Sequence, residues 1–151
     1  MRTILAIVLL IAVSACRSTS VVQEFPGAVG PNLTGAPTSR VAVETFFAAM
    51  KAGDIQAASA IWGSKQGASR DYMQRDELET RLLTIQCWLA HETMSVVGTP
   101  RTKSDSAFYR VELTGSGRSQ QTDVIVVTGG RPTRWYVGDP KISGLVAPGC
   151  R

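Results

Sequence analysis

The 151-residue chain carries 16 Lys and Arg residues against 12 Asp and Glu residues, which gives a formal net charge of +4. The basic residues are scattered and are not interleaved with aromatic residues, so the sequence lacks the basic surface of a nucleic-acid-binding protein. Its single histidine and three cysteines have no metal-ligand spacing, and we expect neither a metal nor another cofactor. No internal repeat or second domain is visible.

The first fifteen residues have the features of a signal peptide. Arg2 is followed by an apolar run from Ile4 to Val13 and then by the small residues Ser14 and Ala15. A helix that crosses a bilayer needs about 20 apolar residues, and this run is about half as long. We therefore expect residues 1–15 to be removed rather than kept as a membrane span.

Cys16 completes a segment, beginning at Val13, that resembles the bacterial lipobox, in which a branched aliphatic residue and two small residues precede a cysteine. The resemblance implies that Cys16 is acylated and becomes the N-terminus, which would anchor the protein to a membrane of the cell envelope. Arg17 follows where an Asp often retains lipoproteins at the inner membrane, so we expect the outer membrane, periplasmic side, if the organism has two membranes. The alternative is an ordinary secretory signal cut at Ala15.

Residues 16–38 are rich in Ser, Thr, Pro and Gly and show no sustained apolar period. Such a composition predicts a flexible tether between the lipidated Cys16 and a folded domain over residues 39–151.

Three helices are predicted at the start of that domain. Ser39 is the expected N-cap of the first helix, and Asp54 is the expected N-cap of a short second one. A polar loop is expected from Gly63, and the third helix from about Arg75 to Leu89, with acidic residues in its first turn. The first helix has one apolar face, formed by Val43, Phe46, Phe47 and Met50.

From about residue 92 the apolar period changes from 3.6 to 2, which predicts strands. The four predicted strands are Met94 to Val97, Ala107 to Leu113, Thr122 to Thr128 and Arg134 to Val137. The second strand alternates as a strand half buried against a core does: one stripe is Ala107, Tyr109, Val111 and Leu113, and the opposite one is Phe108, Arg110 and Glu112. Glycine-rich segments between them predict hairpin loops and an antiparallel meander. Three helices followed by four strands predict an α+β domain, with N-terminal helices packed on a curved antiparallel sheet.

Cys87 and Cys150 remain as an even pair if Cys16 is acylated. In the oxidising compartment that a signal peptide implies, we predict that they form a disulfide. The alternative is two separate thiols, one in the third helix and one on the C-terminal tail.

The segment from Val43 to Asp54 and the closing strand from Arg134 to Val137 resemble the nuclear transport factor 2-like superfamily, especially its small bacterial lipoproteins. The resemblance covers about residues 39–140. It implies a cone in which a curved sheet wraps the helices around a cavity. That superfamily includes enzymes beside many non-catalytic members, so the fold does not determine the function. The residues expected to line the cavity are Phe47, Tyr109, Val111 and Tyr136.

The sequence offers few groups for acid–base chemistry in such a cavity. Asp54 is better explained as a helix cap, His91 as a residue of the helix-to-strand junction, and Asp123 as a solvent-facing strand position. The tyrosines are better explained as core or lining residues. We therefore predict no catalytic residue.

Two functions remain open at this stage. The first is a membrane-tethered, non-catalytic lipoprotein whose domain binds a protein partner, a cell-wall component or a small ligand. The second is a small hydrolase or isomerase that uses a carboxylate in the cone cavity. An enzyme needs a buried titratable group paired with another polar group, whereas a binding domain can be lined by apolar residues alone. The sequence favours binding and gives no indication of the oligomeric state.

Overall fold

A computed structural model describes residues 33–147 and 149–150. The predicted signal peptide, Cys16 and the predicted tether up to residue 32 lie outside these residues. Within the described ranges, no helix is long and apolar enough to cross a membrane.

The first two helices meet at a tight corner. Helix α1 spans Ser39–Ala52 and α2 spans Ile55–Ile61. The N-cap of α1 is Thr38 rather than the predicted Ser39, since the Thr38 hydroxyl accepts a hydrogen bond from the Val41 amide at 3.3 Å. Gly53 ends α1 with φ of 71°, a left-handed conformation in which glycine avoids the strain of a Cβ atom.

The segment between α2 and the third helix contains more structure than the predicted polar loop. Strands β1 (Gly63–Ser64) and β2 (Gly67–Ala68) form a small antiparallel hairpin, followed by a 3-10 turn over Ser69–Asp71. A Cβ atom at Gly63 would clash with the Gly67 carbonyl oxygen, so this hairpin requires glycine at position 63. Helix α3 then spans Arg75–Trp88.

The remaining strands form one antiparallel sheet in the order β3-β4-β5-β6. They span Thr93–Thr102, Ser106–Gly115, Arg118–Gly129 and Arg134–Val137. The first three are longer than predicted. Their polar ends pair through backbone hydrogen bonds, and the sequence there has no apolar alternation from which a strand could be predicted. The predicted α+β class is confirmed, with the three helices packed on a curved antiparallel sheet.

A single apolar core joins the helices to the sheet. Phe46 and Phe47 of α1 meet edge to face with ring centroids 5.6 Å apart. The sheet contributes side chains that are at most 5 % exposed, and they alternate along β4 and β5: Ala107, Tyr109, Val111, Leu113, Val124 and Val126. The predicted inward stripe of β4 therefore faces the helices.

The folded domain includes residues ahead of position 39. Ala36 is fully buried and exchanges two backbone hydrogen bonds with Trp135 of β6, at 2.8 and 2.9 Å. The Gly35 amide donates to the Ala60 carbonyl at 2.8 Å. The end of the predicted tether thus covers the β6 edge of the sheet.

Cys87 and Cys150 form a disulfide, with Cα atoms 5.8 Å apart. The bond joins the last turn of α3 to the C-terminal tail. The tail is also held at Val146, whose amide donates to the Gln120 side chain at 3.0 Å. The predicted pairing is therefore present, and it holds the tail against the folded domain.

Removing the disulfide should lower the free energy of unfolding by about 4 kcal/mol. The two cysteines are 63 residues apart, and a loop of that length in the unfolded chain gives this magnitude by the loop-entropy model. Urea unfolding of the Cys87→Ala, Cys150→Ala double variant tests the prediction. Cys16→Ala is the matched control and should unfold at the wild-type midpoint. A loss below about 1 kcal/mol for the double variant would contradict this account.

Two adjacent leucines of α3 test the direction of its buried face. Leu82 is fully buried and Leu83 is 54 % exposed, so the same substitution changes packing at only one of them. Leu82→Ala should cost about 2–5 kcal/mol and Leu83→Ala about 0.5 kcal/mol or less. Equal losses in parallel denaturant titrations would show that α3 does not present this face to the core.

Candidate functional site

The face of the sheet that points away from the helices carries a groove of about 790 Å³. We call it the outer groove. It crosses β3, β4 and β5 and ends at the segment that follows β6. Its lining residues are Val97, Gly98, Thr99, Arg101, Phe108, Tyr109, Arg110, Asp123, Val124, Ile125, Asp139 and Lys141.

Two cross-strand pairs form the floor of the outer groove. Phe108 of β4 lies opposite Ile125 of β5, and Arg110 lies opposite Asp123. Arg110 makes two hydrogen bonds to the Asp123 carboxylate, at 2.9 and 3.4 Å. Since side chains two residues apart on a strand share a face, an apolar pair and a charged pair lie side by side.

One wall of the outer groove comes from an irregularity in β3. The strand register shifts between Val97 and Arg101, where residues 98–100 lie between the two paired regions. Gly98 has φ of 69°, and a Cβ atom there would meet nothing within 4 Å. Beyond this bulge, the Arg101 guanidinium lies over the Phe108 ring, 5.7 Å from its centroid.

The opposite wall is a segment without regular secondary structure that runs beside β5. The Gly138 amide donates to the Ile125 carbonyl at 2.9 Å, and the Lys141 amide donates to the Asp123 carbonyl at 3.0 Å. The buried Thr122 hydroxyl donates to the Lys141 carbonyl at 2.8 Å. These three hydrogen bonds fix the backbone of Lys141 at the rim of the groove.

The charge around Asp123 is predominantly positive. Its hydrogen bond from Arg110 holds the pKa of the Asp123 carboxyl below its ordinary value. The charges of Arg110, Lys141 and Arg101 lower that pKa further. Both the bulged strand and the segment after β6 therefore direct positive charge toward the floor of the groove.

The four residues predicted to line a cavity occupy different places. Phe47 and Val111 are fully buried in the core, and Tyr136 is 2 % exposed with its hydroxyl 3.2 Å from the Thr34 hydroxyl. Tyr109 is also buried, and its hydroxyl lies 2.8 Å from the Ser39 hydroxyl. Of the four, Tyr109 is among the residues that border the outer groove.

The groups considered for acid–base chemistry are not brought together. Asp54 accepts a hydrogen bond from the Ala57 amide at 2.9 Å and so caps α2. His91 is half-buried, with its Nδ1 atom 2.7 Å from the Leu89 carbonyl oxygen. Asp123 lies on the outer face. Among the described residues, the buried side chains with polar groups include Ser59, Ser69, Ser106 and Thr122, beside the hydrogen-bonded hydroxyls of Tyr109 and Tyr136.

A second depression of about 450 Å³ lies beside the disulfide. It is bordered by the end of α3, the β4–β5 hairpin and the tail, including Trp88, His91 and Arg118. In the described part of the chain, no group of three or more His, Cys, Asp or Glu side chains is placed to hold a metal ion.

Sequence reasoning missed the main cations of the outer groove, Arg101 and Lys141. The alternation of β4 placed Phe108 and Arg110 on the face opposite the buried stripe, which locates the floor. Lys141 lies in a segment without apolar periodicity, so no pattern indicated that it lies beside β5.

No family model and no curated protein matches the chain. Among solved structures, it is similar to an NTF2-like protein of unknown function from Cytophaga hutchinsonii. The TM-score is 0.37 and the sequence identity is 12 %, with 67 % of this chain and 88 % of that chain covered. The chain is an α+β domain with three helices on a curved antiparallel sheet. Because the neighbour is a protein of unknown function, the similarity assigns neither activity nor ligand.

Replacing Arg110 with Gln should raise the pKa of the Asp123 carboxyl toward its ordinary value, because the hydrogen bond from the Arg110 guanidinium contributes most to lowering it. The lowered pKa stabilises the fold above the ordinary aspartate value of about 3.9, and that contribution is lost as the pH falls through the folded-state pKa. A carboxyl-detected NMR titration measures the change. Arg81→Gln, which removes the partner of Glu77 on α3, is the control. An unchanged Asp123 midpoint in Arg110→Gln would contradict the assignment.

Proposed function

We propose that this protein is a membrane-tethered, nuclear transport factor 2-like lipoprotein of the cell envelope that acts by binding rather than by catalysis. Its anchor is the acylated Cys16, and its binding site is the outer groove. The candidate ligands at this level remain a protein partner, a cell-wall component or a small molecule.

The observation that supports a binding function is the contrast between the two faces of the sheet. The helix-facing side is filled by the apolar core, in which Phe47, Val111 and Val124 are at most 1 % exposed. The other side carries an open groove with both apolar and charged lining residues. Concave sites with an apolar surface and a few polar groups are typical of ligand binding.

The observation that supports the anchor is the spacing at the N-terminus. The lipobox-like segment ends at Cys16, and the described domain begins at residue 33. Seventeen residues from Cys16 to residue 32 span at most roughly 60 Å, whatever their conformation. An acylated Cys16 would therefore keep the domain, and its outer groove, close to the membrane surface.

Cys16→Ala should move the protein out of the membrane fraction or leave it as an uncleaved precursor, because no acyl chain can be attached. Wild-type protein should incorporate labelled palmitate, and the variant should not. The Cys87→Ala, Cys150→Ala double variant is the matched control, since it removes the other cysteines and should keep both the label and the membrane location. Unlabelled wild-type protein together with unchanged membrane partition of Cys16→Ala would refute the lipoprotein assignment.

A further inference from the structure

We propose that the outer groove binds an anionic amphiphile, a molecule in which a phosphate or carboxylate group is joined to an aliphatic or aromatic body. The inference rests on the proposed function in that it takes this groove as the binding site. It adds the chemical class of the ligand.

The charge of the chain is distributed unequally between the helices and the sheet. Residues 16–90 carry seven basic and seven acidic residues, whereas residues 91–151 carry eight basic and five acidic residues. In the helices, every arginine is paired with a carboxylate of its own helix, whereas Lys51 donates to the Glu92 backbone carbonyl. Three such pairs are spaced i to i+4, at 2.7–2.9 Å: Arg40 with Glu44, Arg75 with Glu79 and Arg81 with Glu77. The excess positive charge therefore belongs to the sheet and its flanking segments.

Part of that excess borders the outer groove. Arg101 and Lys141 line the groove, and Lys103 lies 5.9 Å from the centroid of its Phe108 ring. Within the described ranges, these three cations have no carboxylate oxygen within 4 Å. Arg101 reaches in from β3, and Lys141 stands on the opposite wall. Both line the groove whose floor holds the Arg110–Asp123 pair. An anion bound in the groove would interact favourably with cations from both walls.

Both acidic side chains of the lining accept hydrogen bonds, although only Asp123 is paired with a cation, so the three cations and two carboxylates of the lining give it a net charge of +1. Asp123 is held by two hydrogen bonds from Arg110, and Asp139 accepts a hydrogen bond from the Trp62 indole at 3.1 Å. Arg101 and Lys141 are therefore the cations of the lining that remain available to a ligand. A guanidinium and an ammonium group are the usual partners of phosphate and carboxylate.

The apolar part of the lining would contact the aliphatic or aromatic body of the ligand. Phe108 and Ile125 form a cross-strand pair on the floor, and Val97 is 36 % exposed at the end nearest the bulge. Arg101 and Lys103 lie 5.7 and 5.9 Å from the Phe108 ring centroid. An apolar body placed on Phe108 and Ile125 would thus lie next to the cations that bind its charged group. Neither a simple anion nor a neutral apolar molecule would use both features.

Binding of 1-naphthyl phosphate to the full chain, held in discs of phosphatidylcholine and corrected with empty discs, tests this inference by calorimetry. We expect saturable binding with one site per chain. Inorganic phosphate and the neutral 1-naphthyl glucoside should each bind at least about tenfold more weakly, which corresponds to 1.4 kcal/mol. Equal affinity for the neutral compound would overturn the proposal.

Variants of the groove locate the site. Arg101→Gln with Lys141→Gln should weaken binding at least about tenfold, and Phe108→Ala at least about fivefold. Arg75→Gln with Arg81→Gln removes two cations from α3 and should leave the affinity unchanged. All these positions are on the surface or half-buried, and circular dichroism checks that each variant is folded. Wild-type affinity in both groove variants would overturn the assignment.

Two further measurements separate the anchor from the groove and identify the source of the ligand. Cys16→Ala should bind 1-naphthyl phosphate as the wild type does, so loss of anchoring and loss of the groove are distinguishable. If the natural ligand is a lipid headgroup, phosphatidylglycerol in the discs should compete with the probe in the wild type. If it is a free, soluble anionic amphiphile, the probe should bind equally with and without phosphatidylglycerol. Either outcome supports an anionic amphiphile, provided that the groove variants weaken binding.

Discussion

The register between β4 and β5 is the constraint on which both faces of the molecule depend. These strands pair without interruption from Ser106 opposite Val127 to Gly115 opposite Arg118. Because side chains alternate along a strand, this one register places an apolar stripe against the helices and Phe108 in the outer groove. A slip of one residue would expose the stripe and bury Arg110. The core and the candidate binding surface are therefore specified by the same hairpin.

The parts of the structure that could be predicted are those with a strong local period. The alternation over residues 107–113 identified both faces of β4, and the 3.6-residue period of α1 identified its buried face. The even pair Cys87 and Cys150 led to the disulfide that the structure contains. The periodicity of a helix or strand can be read over a few residues, and two remaining cysteines allow one disulfide pairing.

The parts that could not be predicted depend on partners distant in sequence. Residues 138–141 have no period of their own, and hydrogen bonds to Thr122, Asp123 and Ile125 place them beside β5. Ala36 likewise belongs to a segment with the composition of a linker, yet it pairs with β6. The small hairpin after α2 likewise meets the chain just after β5, where the Gly130 amide donates to the Lys65 carbonyl at 3.3 Å. Where a segment is held by backbone hydrogen bonds to distant residues, its own composition does not predict its position in the fold.

The bulge at residues 98–100 also affects how neighbouring molecules can meet. Strand β3 is the edge of the sheet, and an edge strand exposes unpaired backbone groups that can template pairing with another chain. In β3 the bulge and Pro100 interrupt that row of donors. Arg101 in the strand and Lys103 just after it add like charges that repel a second copy. The proposed acyl anchor on Cys16 would concentrate the molecules in two dimensions. An edge of this kind would let them crowd there without joining their sheets into larger assemblies.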